Sequence, residues 1–202
     1  MATGRDHPER GRPSSGITVA VAAHDGAKVI GRCLDSLIEQ TVLPDRIVVV
    51  DDGSTDETAD VVATRALRRP GLITVVSQPN RGVAAALRAA VAEADTEFVA
   101  IADQDDWYAP RRLEVSLELA QRPGADMVGG QVTGRLGNRL RLTKSRVPTD
   151  VAGIADRMSA GLDPLPHITM MVRRDGFERF GNYRLLRRAA DLELMLRWAH
   201  RG

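Results

Sequence analysis

Three groups of acidic residues have the type and spacing that carry chemistry. Asp51-Asp52 close one apolar run, and Asp103, Asp105 and Asp106 close another. Asp191 opens a helical pattern near the end of the chain. Carboxylates gathered within a few ångströms raise one another's pKa unless a cation sits among them. Mg2+ or Mn2+ is the natural occupant, because hard divalent cations choose oxygen ligands. An Asp behind a strand also serves as a turn or cap, and Ser54-Thr55-Asp56-Glu57 reads equally well as the start of a helix. Capping does not require two carboxylates one residue apart, behind an apolar run and ahead of Trp107. Asp103-Gln104-Asp105 therefore reads as more than a cap.

The elements that must place these groups follow from the hydrophobic pattern. Residues 17–23 form an almost unbroken apolar run, expected of a strand buried on both faces. Val29, Ile30, Cys33, Leu34, Leu37 and Ile38 then recur at helical spacing. A second strand is predicted over 47–50, ending at Asp51, and a helix over 57–67 capped by Thr55 or Asp56. A strand at 72–76, a helix at 83–94, a strand at 97–102 and a helix from Pro110 to Gln121 follow. This alternation argues for an α/β fold, a mostly parallel sheet flanked by helices on both faces. In such sheets ligands bind outside the carboxyl ends of the strands, where the first two acidic groups fall. Later the pattern loosens. Residues 127–132 and 167–172 read as strands, 135–146 as a basic loop or hairpin, and 189–199 as a final helix.

With 28 Lys plus Arg against 27 Asp plus Glu, the net charge is +1, and no basic excess points to nucleic acid. Cys33, the sole cysteine, has no partner for a disulfide or a CxxC site and reads as core. No run of about 18 apolar residues encodes a spanning helix. Residues 1–16 are polar, rich in Pro, Gly and Arg, and lack the apolar segment of a secretory signal. The expectation is a disordered tail over 1–16 and one domain over 17–202. Its regular half would cover 17–106 and its looser half 107–202. The expected location is cytoplasmic, with peripheral membrane contact allowed.

Five segments share a further pattern. Val48-Val49-Val50-Asp51-Asp52-Gly53-Ser54-Thr55-Asp56 is a strand with a DDGSTD loop, and Cys33-Leu34-Asp35-Ser36-Leu37 with Gln40-Thr41 precedes it. Asn80-Arg81-Gly82 leads into Ala84-Ala85-Ala86. Ile101-Ala102-Asp103-Gln104-Asp105-Asp106-Trp107 continues to Pro110 and Leu113, and Asp191 stands with Leu194, Leu196 and Arg197. In this order, over nearly all of 17–202, they resemble the family-2 glycosyltransferases, which have a GT-A-type nucleotide-sugar fold. The resemblance implies a nucleotide-sugar donor, UDP-type, and a glycan, lipid-linked or small-molecule acceptor. It implies that Asp52 hydrogen-bonds the donor base and that Ala22 and His24 shape its pocket. Gly82 would border the donor, and residues 17–106 would be the nucleotide-binding half and 107–202 the acceptor-side half. Asp105 would bind the metal, Mn2+ or Mg2+, with Asp103 close to the ribose or sharing the ion. Asp191 would be the general base towards the acceptor hydroxyl, and one base on one face implies single displacement with inversion.

The sequence departs from the family in places. Asp25 stands where Asn is commoner, Ala190 replaces the Glu before Asp191, and Arg88 stands for Asn. The chain ends soon after the last motif, where relatives usually continue, so a minimal or truncated enzyme is expected. The QxxRW motif of processive synthases is absent, which favours transfer of one sugar at a time. A catalytically inactive nucleotide-sugar-binding module is an alternative suggested by Ala190, against which the retained Asp191 argues. A nucleotidyltransferase is another, but the basic Gly-rich phosphate loop it needs is missing from residues 22–27. Among single residues, Trp198 and Met170-Met171 read as core, Trp107 as either core or sugar-facing. His167 reads as structural or as a contact to acceptor or phosphate. Arg173, Arg174, Arg187 and Arg188 read by default as a solvated face.

Overall fold

The apolar runs become four parallel strands, β1 (Ile17–Ala23), β2 (Arg46–Asp52), β3 (Ile73–Gln78) and β4 (Phe98–Asp103). Helices α1 (Ile30–Ile38), α2 (Thr58–Arg68) and α3 (Val83–Ala92) connect them, and α4 (Arg112–Ala120) leaves β4. The computed structural model describes residues 13–135, 142–144 and 147–201. Among these, β5 (Met127–Val128), the small antiparallel pair β6 (Thr133–Arg135) and β7 (Leu142–Lys144), α5 (Val151–Ser159), β8 (Met171–Arg173), α6 (Arg174–Arg179) and α7 (Ala190–Ala199) follow. The main sheet runs β3-β2-β1-β4-β8-β5, with β8 antiparallel to both of its neighbours.

Alternation along the strands divides the core into two layers. Ile17, Val19, Val21 and Ala23 of β1 join Ile47, Val49, Ala100 and Ala102 under α1, α2 and α4, where Cys33, Leu34, Leu37, Val62 and Leu113 pack. On the other face Ala20, Val48, Val50, Val99 and Ile101 lie under α3 and α7, with Leu87, Val91, Leu194 and Trp198. Helices therefore cover both faces, and Cys33, Trp198, Met170 and Met171 are core residues.

Several local expectations change. Of the expected tail, residues 1–12 lie outside the described residues. Ser14 Oγ and the Ser15 and Gly16 amides donate to the Asp45 carboxylate at 2.7–3.0 Å, so residues 14–16 are tied to the sheet ahead of Ile17. The strand expected over 127–132 stops at Val128, ahead of Gly129-Gly130. Part of the 135–146 hairpin, residues 136–141 and 145–146, lies outside the described residues. Residues 167–172 are not one strand: His167–Thr169 form a 3-10 turn, held by Thr169 Oγ1 donating to the Pro166 carbonyl at 2.7 Å, and β8 begins only at Met171. Helix α4 starts at Arg112 rather than Pro110, and Gln40, from the connection between α1 and β2, caps it by accepting the Leu113 amide at 2.9 Å.

Candidate active site

Register brings the strand ends level. Ala22 lies beside Val50 of β2 on one side and Asp103 of β4 on the other, and Asp52 lies beside Gln78 of β3. The residues that follow these strands form one rim in two clusters.

The first cluster is built around Asp52, which is buried. Its carboxylate accepts from Gln78 Nε2 at 2.6 Å, from the Arg81 amide at 2.9 Å and from the Gly82 amide at 2.7 Å. A carboxylate offers about four lone-pair positions, so Asp52 shapes the Asn80–Gly82 loop with three of them. Gly82 sits at φ 89°, where only glycine is unstrained, and opens α3. Gly53, at φ 73°, lets the Asn80 backbone approach so closely that a β-carbon would stand 2.7 Å from its nitrogen. The DDGSTD loop is tied to the β1 exit. Asp25 accepts the Thr55 amide at 2.7 Å, the Asp25 amide donates to Ser54 Oγ at 3.0 Å, and Asp56 accepts the amides of Ala27 and Thr58 at 3.0 Å. Asp56 thus caps the start of α2 and also crosses to the neighbouring loop. The Thr55 amide bond, set against slight desolvation, holds the Asp25 carboxyl below its usual range. The exposed His24 ring lies 3.0 Å from Asn80 Nδ2.

The second cluster follows β4. Asp103, Asp105 and Asp106 present ligand atoms within 4.8 Å of one another. Burial, then the charges of Asp106, Asp105 and Asp191, raise the Asp103 carboxyl from 3.8 to about 6. Burial and Asp105 likewise raise Asp106. None of these carboxylates is paired with a Lys or Arg among the described residues. The donor set is all hard oxygen and its charge is uncompensated, which fits a divalent cation. Asp191, in the first turn of α7, lies within electrostatic reach of Asp103, His167 and Tyr183. Asp103 and Asp191 come from elements far apart in the chain and lie near enough for their charges to interact.

Three contributors carry no readable pattern in the sequence. Gln104 lies between Asp103 and Asp105, and its amide spans the rim. Its Oε1 accepts the His24 amide at 3.1 Å, and its Nε2 donates to the His24 carbonyl at 3.0 Å. Gly26 leaves room for it, since a β-carbon there would stand 2.1 Å from Gln104 Oε1. Tyr183, fully buried, shares a 2.7 Å hydrogen bond with His167 Nε2, and burial lowers the His167 pKa so that the ring is neutral. Arg112 donates from Nη2 to the carbonyls of Ile101 and Ile168 at 2.7 and 3.2 Å, joining the end of β4 to the His167 turn. The Tyr108 hydroxyl accepts the Asp103 amide at 2.8 Å, and Arg112 covers the Tyr108 ring. Trp107 is not core: it is 47% exposed, with the Arg32 guanidinium 3.5 Å from its ring centroid.

The model of the glycosyl transferase family 2 matches residues 18–194, which includes every residue of both clusters. The chain belongs to that family. Among family-2 relatives, an uncharacterized glycosyltransferase of Nostoc is 35% identical over 113 residues, which are 56% of this chain and 34% of that protein. The amylovoran biosynthesis glycosyltransferase AmsE of Erwinia amylovora is 28% identical over 82% of this chain and 62% of its own. The chain therefore spans only part of the length of these relatives. The fold is that of TarS from S. aureus, solved with UDP-GlcNAc, at TM-score 0.70 and 22% identity over 90% of this chain and 52% of TarS. It also matches the mannosyltransferase PcManGT of Pyrobaculum calidifontis, solved with GDP-Man and Mn2+, at TM-score 0.68 and 25% identity over 93% of this chain and 52% of that one. The fold is thus the GT-A type expected from the motifs. The family-2 match ends at Leu194, inside α7, so the Asp191 region lies within the matched stretch.

Proposed function

We propose that the chain transfers a glycosyl group from a nucleoside diphosphate sugar, UDP-type, to an acceptor hydroxyl with inversion. The observation that carries this reading is an uncompensated Asp103–Asp105–Asp106 cluster with Asp191, from a distant element, near enough to Asp103 for their charges to interact. The likeness to PcManGT, solved with GDP-Man and Mn2+, supports a cation at that cluster.

Asp105 and Asp103 would hold the ion, Mn2+ or Mg2+, with Asp106 adjoining. Such a cation, when bound, neutralises charge developing on the departing nucleoside diphosphate as a Lewis acid. Asp52 orients the Asn80–Gly82 loop and uses its remaining acceptor position for the base, beside Ala22 and His24. Asp103 faces the ribose. Asp191 accepts the proton of the acceptor hydroxyl, and the oxygen attacks the anomeric carbon from the face opposite the leaving group. One displacement inverts the configuration. His167, held by its hydrogen bond to Tyr183, borders the acceptor side.

Asp191→Asn tests the assignment. A positioned general base contributes about 10²- to 10⁴-fold in rate, so kcat should fall at least about a hundredfold while UDP affinity barely moves. Asn caps helices about as well as Asp, so a well-folded variant with parental kcat would remove Asp191 from the chemistry. The product anomer, read by NMR with a panel of nucleotide sugars, tests inversion and donor class.

A further inference from the structure

Between two fixed structures near the carboxyl end, residues 184–189 read Arg-Leu-Leu-Arg-Arg-Ala. Before the segment, the Phe180–Tyr183 turn is locked. Arg197 donates to the carbonyls of Gly181 and Asn182 at 2.8 and 3.0 Å, Trp198 Nε1 donates to the Gly181 carbonyl at 2.9 Å, and the Tyr183 ring is buried. After it, α7 is pinned by Leu194, Met195 and Trp198 in the core. The six residues between these anchors are all exposed. The Leu186 amide donates to the Arg184 carbonyl at 2.8 Å, a tight turn that puts Leu185 at its apex. Leu185 is 54% exposed and Leu186 43%. Arg184 pairs with Glu193 at 3.1 Å, whereas Arg187 and Arg188 have no hydrogen bond or ion pair among the described residues. Ala189 ends the segment in the left-handed region, φ 54°, a conformation that a β-carbon disfavours and that clusters at functional segments.

Single exposed apolar side chains are ordinary, but adjacent ones rimmed by charge mark contact surfaces. A free anion would satisfy the two arginines and leave both leucines in water. A surface with negative headgroups above acyl chains satisfies both, because interfacial segments bury apolar side chains at the headgroup boundary while Arg meets anionic lipid. We propose that residues 184–188 dock on an anionic lipid bilayer, Leu185 and Leu186 entering the headgroup–acyl boundary and Arg187 and Arg188 meeting headgroup charge. Docking there sets Asp191, three residues beyond Arg188, close to the membrane plane. The consequence, that the acceptor is presented from a lipid, rests on the glycosyl-transfer reading. The docking itself does not.

Sedimentation of the full chain with vesicles tests it. Phosphatidylcholine vesicles containing about 30% phosphatidylglycerol should carry the protein down, and neutral phosphatidylcholine vesicles should not. Each basic residue near such a surface strengthens binding severalfold, so Arg187→Glu with Arg188→Glu should lower partitioning at least about tenfold. Leu185→Ser with Leu186→Ser should lower it comparably. Both variants should keep the parental melting temperature and the parental UDP–Mn2+ stabilisation, which separates a failed docking surface from a failed donor site. Equal binding to neutral vesicles, parental binding by either variant, or release by inorganic phosphate alone would overturn the proposal. So would dimerisation without lipid that the leucine variant abolishes, which would assign the surface to a second copy of the chain.

Discussion

Replacing Asp103 by asparagine should stabilise the metal-free protein near neutral pH. Burial comes first, then the charges of Asp106, Asp105 and Asp191, and together they lift this carboxyl from 3.8 to about 6. A carboxyl bound to its proton more tightly in the folded than in the unfolded state favours folding while protonated. That contribution is present below 3.8 and is lost as pH rises through about 6. The displacement is about two units at about 1.4 kcal/mol each, so the ionised carboxylate costs up to about 3 kcal/mol at neutral pH. The asparagine amide carries no charge to bury. In EDTA at about pH 7.5 the Asp103→Asn melting temperature should stand about 5–10 °C above the parent, a chain of this size shifting about 2–4 °C per kcal/mol. The gap should close as pH falls to about 4, where both side chains are neutral. Mn2+ should then reverse the order, raising the parent at neutral pH and the variant little. Calorimetric scans over that pH range, with and without Mn2+, read all three effects. A variant less stable than the parent in EDTA at neutral pH would refute the argument, because it would mean that the cluster's charge is compensated within the protein.

Asp52→Ala removes the acceptor for Gln78 and for the Arg81 and Gly82 amides. Leaving buried donors unpaired costs about 1–3 kcal/mol, and UDP affinity at saturating Mn2+ should weaken about tenfold or more by calorimetric titration. An unaltered dissociation constant would leave this carboxylate as a loop anchor outside the base pocket. Gly53→Ala combines a φ of 73° with a β-carbon 2.7 Å from the Asn80 nitrogen and should cost at least about 2 kcal/mol in chemical denaturation. Gly82→Ala has the same kind of strain but open space at the β-carbon. A loss there as large as at Gly53 would show that conformation, not crowding, sets the cost.

The parallel half of the fold was legible because residues 17–23, 47–50 and 98–102 are short, mostly apolar runs of the kind that form central strands, and helical spacing fills the gaps between them. The C-terminal half was less so. His-Ile-Thr-Met-Met-Val is as apolar as a strand, yet Pro166 and the Thr169 hydroxyl fold its first half into a turn. Helix α5 buries no side chain fully and meets the core only through Ile154 and Met158, a short stripe interrupted by Gly153 and charged residues, and Asp150, accepting the Gly153 amide at 2.8 Å, marks its start. In the candidate site, the aspartates announce themselves by clustering. Gln104, Tyr183 and Arg112 do not, because each acts through a partner at least 11 residues away and spacing along the chain says nothing of that bond.

The paired bonds between Gln104 and the His24 backbone have a thermodynamic consequence. One amide belongs to the loop proposed to carry the cation ligands, and the peptide it grips belongs to the loop beside the proposed base pocket. A ligand that orders either loop removes conformational freedom from both, so the second ligand meets a loop already settled. Cation and nucleotide should therefore bind with positive coupling even apart from any contact between them. Because such coupling is reciprocal, the factor by which Mn2+ tightens uridine binding must equal the factor by which uridine, which has no phosphate to touch the ion, tightens Mn2+. Gln104→Ala should bring that factor towards one while leaving each ligand's own contacts in place.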